Sequence, residues 1–201
     1  ERCDVGSLQT IDFHSIWAHT HSNVVEDSVY VNSTQHLTNS TGWVSFNATR
    51  DTVGKLVWTV TSFGSFYVIW DRVQIVEGGS SRAETTITET ETVWFKAIYE
   101  YDGSVFDGTM GTLYVNGSAI MWSAVKERWE YNCTFDTPGT RVFKISGVSD
   151  GQYGLTKIND LAGAQSITWL AHEEEKEEEA PFWAQWWFWT IIGIVMVIAV
   201  V

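Results

Sequence analysis

The chain has 201 residues and carries 25 acidic against 12 basic side chains, a net charge of −13, in a length that suits one or two domains of about 100–150 residues. Without the Glu-rich run near the C-terminus the balance is still 19 acidic to 11 basic, which excludes recognition of nucleic acid through its phosphates. Twelve Trp, an aromatic content of 14%, only two Pro and alternating Thr- and Ser-rich runs are the usage of β-sheet.

The sequence opens at Glu1 without Met or an apolar leader, so a precursor that has lost an N-terminal piece is expected. Period-two alternation predicts strands over Leu8–Trp17, Val29–Val31, Trp43–Asn47, Leu56–Thr61 and Phe66–Ile75. Gly78-Gly79-Ser80-Ser81 then reads as a flexible, turn-prone junction. Beyond it, strands are predicted over Val93–Glu100, Gly111–Val115, Arg128–Cys133, Arg141–Ser146, Tyr153–Thr156 and Gln165–Leu170. Turns are expected at Tyr101-Asp102-Gly103, Asp107-Gly108 and Asp150-Gly151.

A repeat organises these elements. Asn47-Ala-Thr-Arg-Asp-Thr-Val-Gly-Lys-Leu-Val-Trp58 aligns without gaps on Asn132-Cys-Thr-Phe-Asp-Thr-Pro-Gly-Thr-Arg-Val-Phe143, and upstream Tyr30-Val31-Asn32 matches Tyr114-Val115-Asn116, Phe13 matches Phe95 and Arg2 matches Arg82. One unit has been duplicated. Many short strands with frequent turns predict an all-β fold of two tandem immunoglobulin-like sandwiches, residues 1–77 and 78–171, followed by an acidic stalk at 172–180 and a transmembrane helix at 181–201. The Asp of each repeated Asp-Thr-x-Gly reads as a turn acceptor rather than a catalyst.

Pro181–Val201 holds no charged residue and, at about 1.5 Å per residue, spans a hydrocarbon core of about 30 Å. Trp183, Trp186, Trp187 and Trp189 crowd its first half, as an aromatic belt at the membrane interface does. Five of the seven Asn, namely Asn32, Asn39, Asn47, Asn116 and Asn132, head an Asn-x-Ser/Thr triplet, where a Ser plus Thr content of 39 in 201 residues supplies one or two by chance. The excess predicts N-linked glycans, an extracellular face, and an N-terminus outside the cell. The run 172–179, with six Glu and one Lys, reads as a helix continuous with the membrane segment or as an extended charged linker; the helix is preferred.

Residues suited to chemistry are sparse. No Gly-x-Ser-x-Gly, His-Glu-x-x-His, phosphate-cradling glycine loop or Cys-x-x-Cys occurs, so no enzyme is expected. His14, His19 and His21 are the best-spaced metal candidates, but a polar surface strand accounts for them and no metal site is expected. Asp102, Asp107, Asp136, Asp150 and Asp160 lie in predicted turns and offer oxygen ligands for calcium without EF-hand spacing; apart from glycans no cofactor is expected, calcium being the alternative. Cys3 and Cys133 are either one long-range bridge or, as preferred, two separate thiols.

Arg2-Cys-Asp-Val-Gly6, Ile69-Trp-Asp-Arg-Val73, Tyr99-Glu-Tyr-Asp-Gly103, Tyr114-Val-Asn-Gly117 and Tyr153-Gly-Leu-Thr156 together resemble the tandem immunoglobulin-like domains of large archaeal cell-surface proteins. The resemblance covers about 170 of 201 residues and departs at Leu170-Ala171-His172, where Asp-Arg-Val is replaced; it specifies architecture better than function. It implies a structural cell-surface glycoprotein: a membrane-anchored stalk or S-layer-type component whose partners are the lipid bilayer and its own or other surface-layer chains. An adhesin or extracellular filament subunit assembling through sheet edges is the alternative.

Overall fold

The computed structural model describes residues 1–16, 20–23, 28–61 and 63–172, all-β with no helix among them. The first seven strands are β1 (Arg2–Asp4), β2 (Gln9–His14), β3 (Ser28–Val31), β4 (Thr34–Leu37), β5 (Trp43–Ala48), β6 (Gly54–Val60) and β7 (Gly64–Asp71). The rest are β8 (Val73–Ser80), β9 (Glu84–Thr86), β10 (Thr90–Tyr99), β11 (Gly111–Val115), β12 (Ser118–Ala119), β13 (Met121–Ser123), β14 (Arg128–Thr134), β15 (Gly139–Phe143), β16 (Ile145–Asp150), β17 (Ile158–Asp160) and β18 (Gln165–Leu170). Glu1–Leu170 form one compact unit.

Two hydrophobic cores lie within it. The first sandwich packs the sheet β1-β7-β6-β3-β4 over the pair β2-β5. Alternation buries Trp58 and Val60 of β6 and Val68 and Trp70 of β7, against which Ile11, Phe13 and Phe46 of the facing pair are packed. The second sandwich packs β13-β14-β10-β8-β17 against β12-β11-β16 and β15-β18-β9. Val93, Phe95 and Ala97 of β10 meet Leu113, Phe143, Ile145, Ile167 and Trp169 from the opposite layer in a much larger core.

The duplication seen in the sequence is written in hydrogen bonds. Asn32 and Asn116 both adopt φ 48° at the tip of a hairpin. The Asn32 side chain accepts from Thr59 N and its amide faces Val57 O, and Asn116 does the same with Lys144 N and Val142 O. Thr10 donates to Asn47 Oδ1 at 2.8 Å, and Thr92 to Asn132 Oδ1 at 2.8 Å. Gly54 pairs with Trp70 as Gly139 pairs with Trp169, and the indole N–H groups of those Trp donate to Ser7 O and Glu89 O. Trp58 and Phe143, aligned by the repeat, are both buried.

Two local expectations are corrected. Tyr153–Thr156 is a turn and not a strand: the Asp150 carboxylate gathers the N–H groups of Gln152, Tyr153 and Leu155, and Gly154 turns the chain at φ 73°. Gly78-Gly79-Ser80 is the end of strand β8 and not a flexible junction. A Cβ on Gly79 would lie 2.7 Å from the Trp94 ring and one on Gly78 3.0 Å from Phe95, so glycine permits close approach of strands there rather than mobility. Val73 onward therefore belongs to the second core, and the sandwiches meet at Arg72 instead of at residues 77 and 78.

Among the described residues no helix is long and apolar enough to cross a membrane. The expected membrane helix 181–201, its Trp183, Trp186, Trp187 and Trp189, and the stalk from 173 to 180 lie outside the described residues, as does His19.

Candidate functional site: the joint between the sandwiches

Strands β7 and β8 are separated only by Arg72, so the last strand of one sandwich runs on as a strand of the next. Around that residue, segments far apart in the sequence converge. The Arg72 guanidinium grips Glu100 through Nε at 2.6 Å and Nη2 at 3.0 Å, and Asn159 Nδ2 donates to the same carboxylate at 2.9 Å. A bidentate pair of this kind fixes orientation as well as distance. The backbone adds Glu100 N to Arg72 O and Val73 N to Lys157 O, each at 3.0 Å.

Beside it, Arg2 enters from β1. Its Nη2 is 2.5 Å from Asp102 Oδ2 and its Nη1 is 3.3 Å from Asp71 Oδ2. Its guanidinium lies over the rings of Tyr153, Tyr99 and Tyr101 at 4.4, 5.1 and 5.8 Å, a cation seated among three π-faces. Asp71 is fully buried, and its Oδ1 accepts the N–H groups of Arg72 and Tyr101. At the other end of β1, the Asp4 carboxylate accepts Thr156 N, Thr156 Oγ1 and Lys157 N within 3.0 Å. Tyr99 is buried and donates its hydroxyl to Asp150 at 3.0 Å.

The electrostatics follow from burial set against pairing. Loss of solvent raises the Asp71 carboxyl above its ordinary value, against the pull of the two backbone N–H groups and of Arg2. Asp102 also loses solvent, but bonds from Ser104 and Arg2 outweigh this and hold it at about 2. The Arg72 hydrogen bond lowers Glu100. Burial and the Asp150 contact push the Tyr99 phenol well up, so it stays a donor. These contacts tie β1, the β7–β8 junction, the end of β10 with its following turn, and the segment Tyr153–Asn159 to one another.

All five glycosylation candidates, Asn32, Asn39, Asn47, Asn116 and Asn132, are exposed. Asn39 caps its own turn by accepting from Thr41 N and Trp43 N. His14 stacks on Trp43 at 4.3 Å and meets Asn23 at 2.9 Å, while His21 is exposed at φ 54°. Among the described residues no three His, Cys, Asp or Glu groups gather as a metal set. Asp107 accepts from Thr109 and Asp160 from Gly163, each within its own loop, while Asp102 accepts from Ser104 of its loop and from Arg2; Asp136 lies in the loop before β15 and is exposed. Cys3 and Cys133 are free thiols, the second raised to about 11 by burial.

The residues of the joint, Arg2, Asp4, Asp71, Arg72, Glu100, Asp102 and Thr156, stand inside the phrases quoted above for their resemblance, but nothing in the sequence said that those phrases touch. The usable signal was that the first domain closes on Asp71-Arg72-Val73 with no Gly or Pro before the next strand.

The architecture defines the class: an all-β chain of two-layer β-sandwiches. No known family and no curated protein matches the chain. Among solved structures it is similar to the D0–D1 domain of intimin (8% identity, covering 84% of this chain and 94% of that one, TM-score 0.32). It is also similar to FdeC, an adhesin of Escherichia coli (14%, 85% and 60%, TM-score 0.37), and to the adhesin InvE of Yersinia pseudotuberculosis (8%, 84% and 55%, TM-score 0.26). The chain spans less than two thirds of the latter two. Identities and scores this low carry no function across.

Proposed function

We propose that this chain is a structural cell-surface glycoprotein, a stalk or surface-layer component whose sandwiches are stiff spacers held to the membrane by residues 181–201. The observation that carries the reading is the joint. A strand continued from one core into the next, with Arg72 on Glu100 and Arg2 between Asp71 and Asp102, restricts the bending that a Gly/Ser linker would allow. The exposed sequons, the acidic surface and the uncharged, Trp-led segment 181–201 support the outer face of a cell and an anchor in lipid. Spin labels on the exposed face of each sandwich test the spacer: a narrow distance distribution in the full chain that broadens in Arg72→Ala agrees with it. Equal breadth in both chains removes the spacer reading.

A further inference from the structure

The two copies differ at one edge. In the second sandwich β10 is paired on both sides, with β14 and with β8. Its counterpart in the first is β2, which pairs with β5 and, among the described residues, has no other strand beside it. Val93 and Phe95 of β10 are fully buried, whereas Ile11 and Phe13, which take their places in β2, are only half-buried. An apolar cleft of about 260 Å³ opens there, lined by Ile11, Phe13, Val29, Val60, Phe63 and Phe66. Phe66 stays 47% and Phe63 75% exposed.

This cleft is the place that β8 fills in the other copy. Phe66 pairs with Trp58 as Gln165 pairs with Phe143, so Phe66 corresponds to Gln165. Gly78 of β8 packs on Phe95 and Gln165, the counterparts of Phe13 and Phe66, whose rings lie 5.2 Å apart at the cleft. The route into the slot is preserved as well. Ile69 N donates to Glu1 O at 2.9 Å, as Thr168 N donates to Ala83 O at 2.9 Å. Glu1 thus stands where Ala83 stands, three residues beyond Ser80, the end of β8, and Arg2 takes the place of Glu84 rather than that of Arg82, with which the sequence repeat aligned it. A second hollow, lined by Glu1 and Tyr67, shares Ile11 and Phe66 with the cleft.

We propose that the open edge of β2 receives an extended strand patterned like Val73–Ser80, antiparallel to β2 and joined to the main chain at Glu1: the connecting strand of a like domain standing before the first sandwich as the first stands before the second. Such a strand supplies the missing main-chain hydrogen bonds and, in the register of β8 on β10, sets the counterpart of Ile75 beside Ser15 at the cleft and that of Gly78 opposite Phe13. The inference rests on the reading of the chain as a row of like modules. It does not depend on the membrane anchor.

The test joins a copy of the segment Arg72–Arg82 directly before Glu1 of the full chain. Amide exchange across Gln9–His14 should slow by about tenfold or more relative to the unextended chain. The same extension carrying Lys in place of its Val and Ile residues should not slow it. Equal exchange in all three chains overturns the proposal. So does protection of β2 that rises with the concentration of the unextended chain, because a second copy is then the occupant. Neither result bears on surface location, which labelling of intact cells with a membrane-impermeant reagent decides separately.

Discussion

At the scale of single residues, Arg2 is the side chain on which most depends. Its guanidinium is the cation facing Asp71, whose side chain is fully buried. Replacing Arg2 by Met leaves that carboxylate without its counter-charge, a situation that costs about 3–5 kcal/mol. Urea unfolding should register the loss, and the double variant Arg2→Met, Asp71→Leu should recover most of it; a single variant as stable as the parent would show that Asp71 is held by its backbone N–H bonds alone. The pH dependence has two opposed parts. Asp102 is depressed from 3.8 to about 2, so its contribution is present above its ordinary value and is lost as pH falls through about 2. Asp71 is raised, so its contribution is present below the ordinary value and is lost as pH rises through its folded value. Asp71→Asn removes the opposing part. The parent should therefore lose stability as pH rises from about 4 through the folded value of Asp71 and the variant should not, while both fall alike between about pH 4 and pH 2 in denaturant titrations.

At the scale of elements, β8 shows how one strand serves two purposes. Its first residues, Val73 and Ile75, are core, and its last, Gly78 and Gly79, let the backbone lie against Phe95 and Trp94. Gly79→Val drives a branched side chain into the Trp94 indole, and overpacking of this kind costs about 1–3 kcal/mol. A lowered melting temperature of the second sandwich checks it, and an unchanged one would mean that the ring swings aside freely. In the repeat itself, Trp58→Ala and Phe143→Ala each empty a core of a large ring, at about 3–5 kcal/mol. Each loss should appear in its own sandwich, as read by amide exchange.

At the scale of the molecule, the two cores are unequal. Among the described residues, the first core cluster holds five buried hydrophobic residues and the second eighteen, and buried apolar area is the main source of stability. Calorimetry of the full chain should show the first sandwich melting below the second, and a single shared transition would indicate that the joint couples them fully. Truncation after Ala180 should release folded sandwiches into the medium; retention of the truncated chain at the membrane would remove the anchor from the proposed function.

Periodicity and self-comparison determined the β class, the duplication and the equivalence of Trp58 with Phe143, because alternation and repeats are local patterns whose physical cause, burial of one face of a strand, acts within a few residues. Gly78-Gly79 misled, because a glycine that makes room for an indole and one that lends flexibility are the same letter. The turn at Tyr153 was hidden because Asp150, which folds it, competes with strand geometry only once Tyr99 holds the carboxylate in place. The joint was invisible for a related reason: Arg2 and Asp102 are 100 residues apart, and Asp4 and Thr156 are 152 apart. Only the packing of two finished sandwiches brings such groups within hydrogen-bond reach. The vacant edge of β2 also needed tertiary structure, because a strand written in sequence carries no mark of how many neighbours it has.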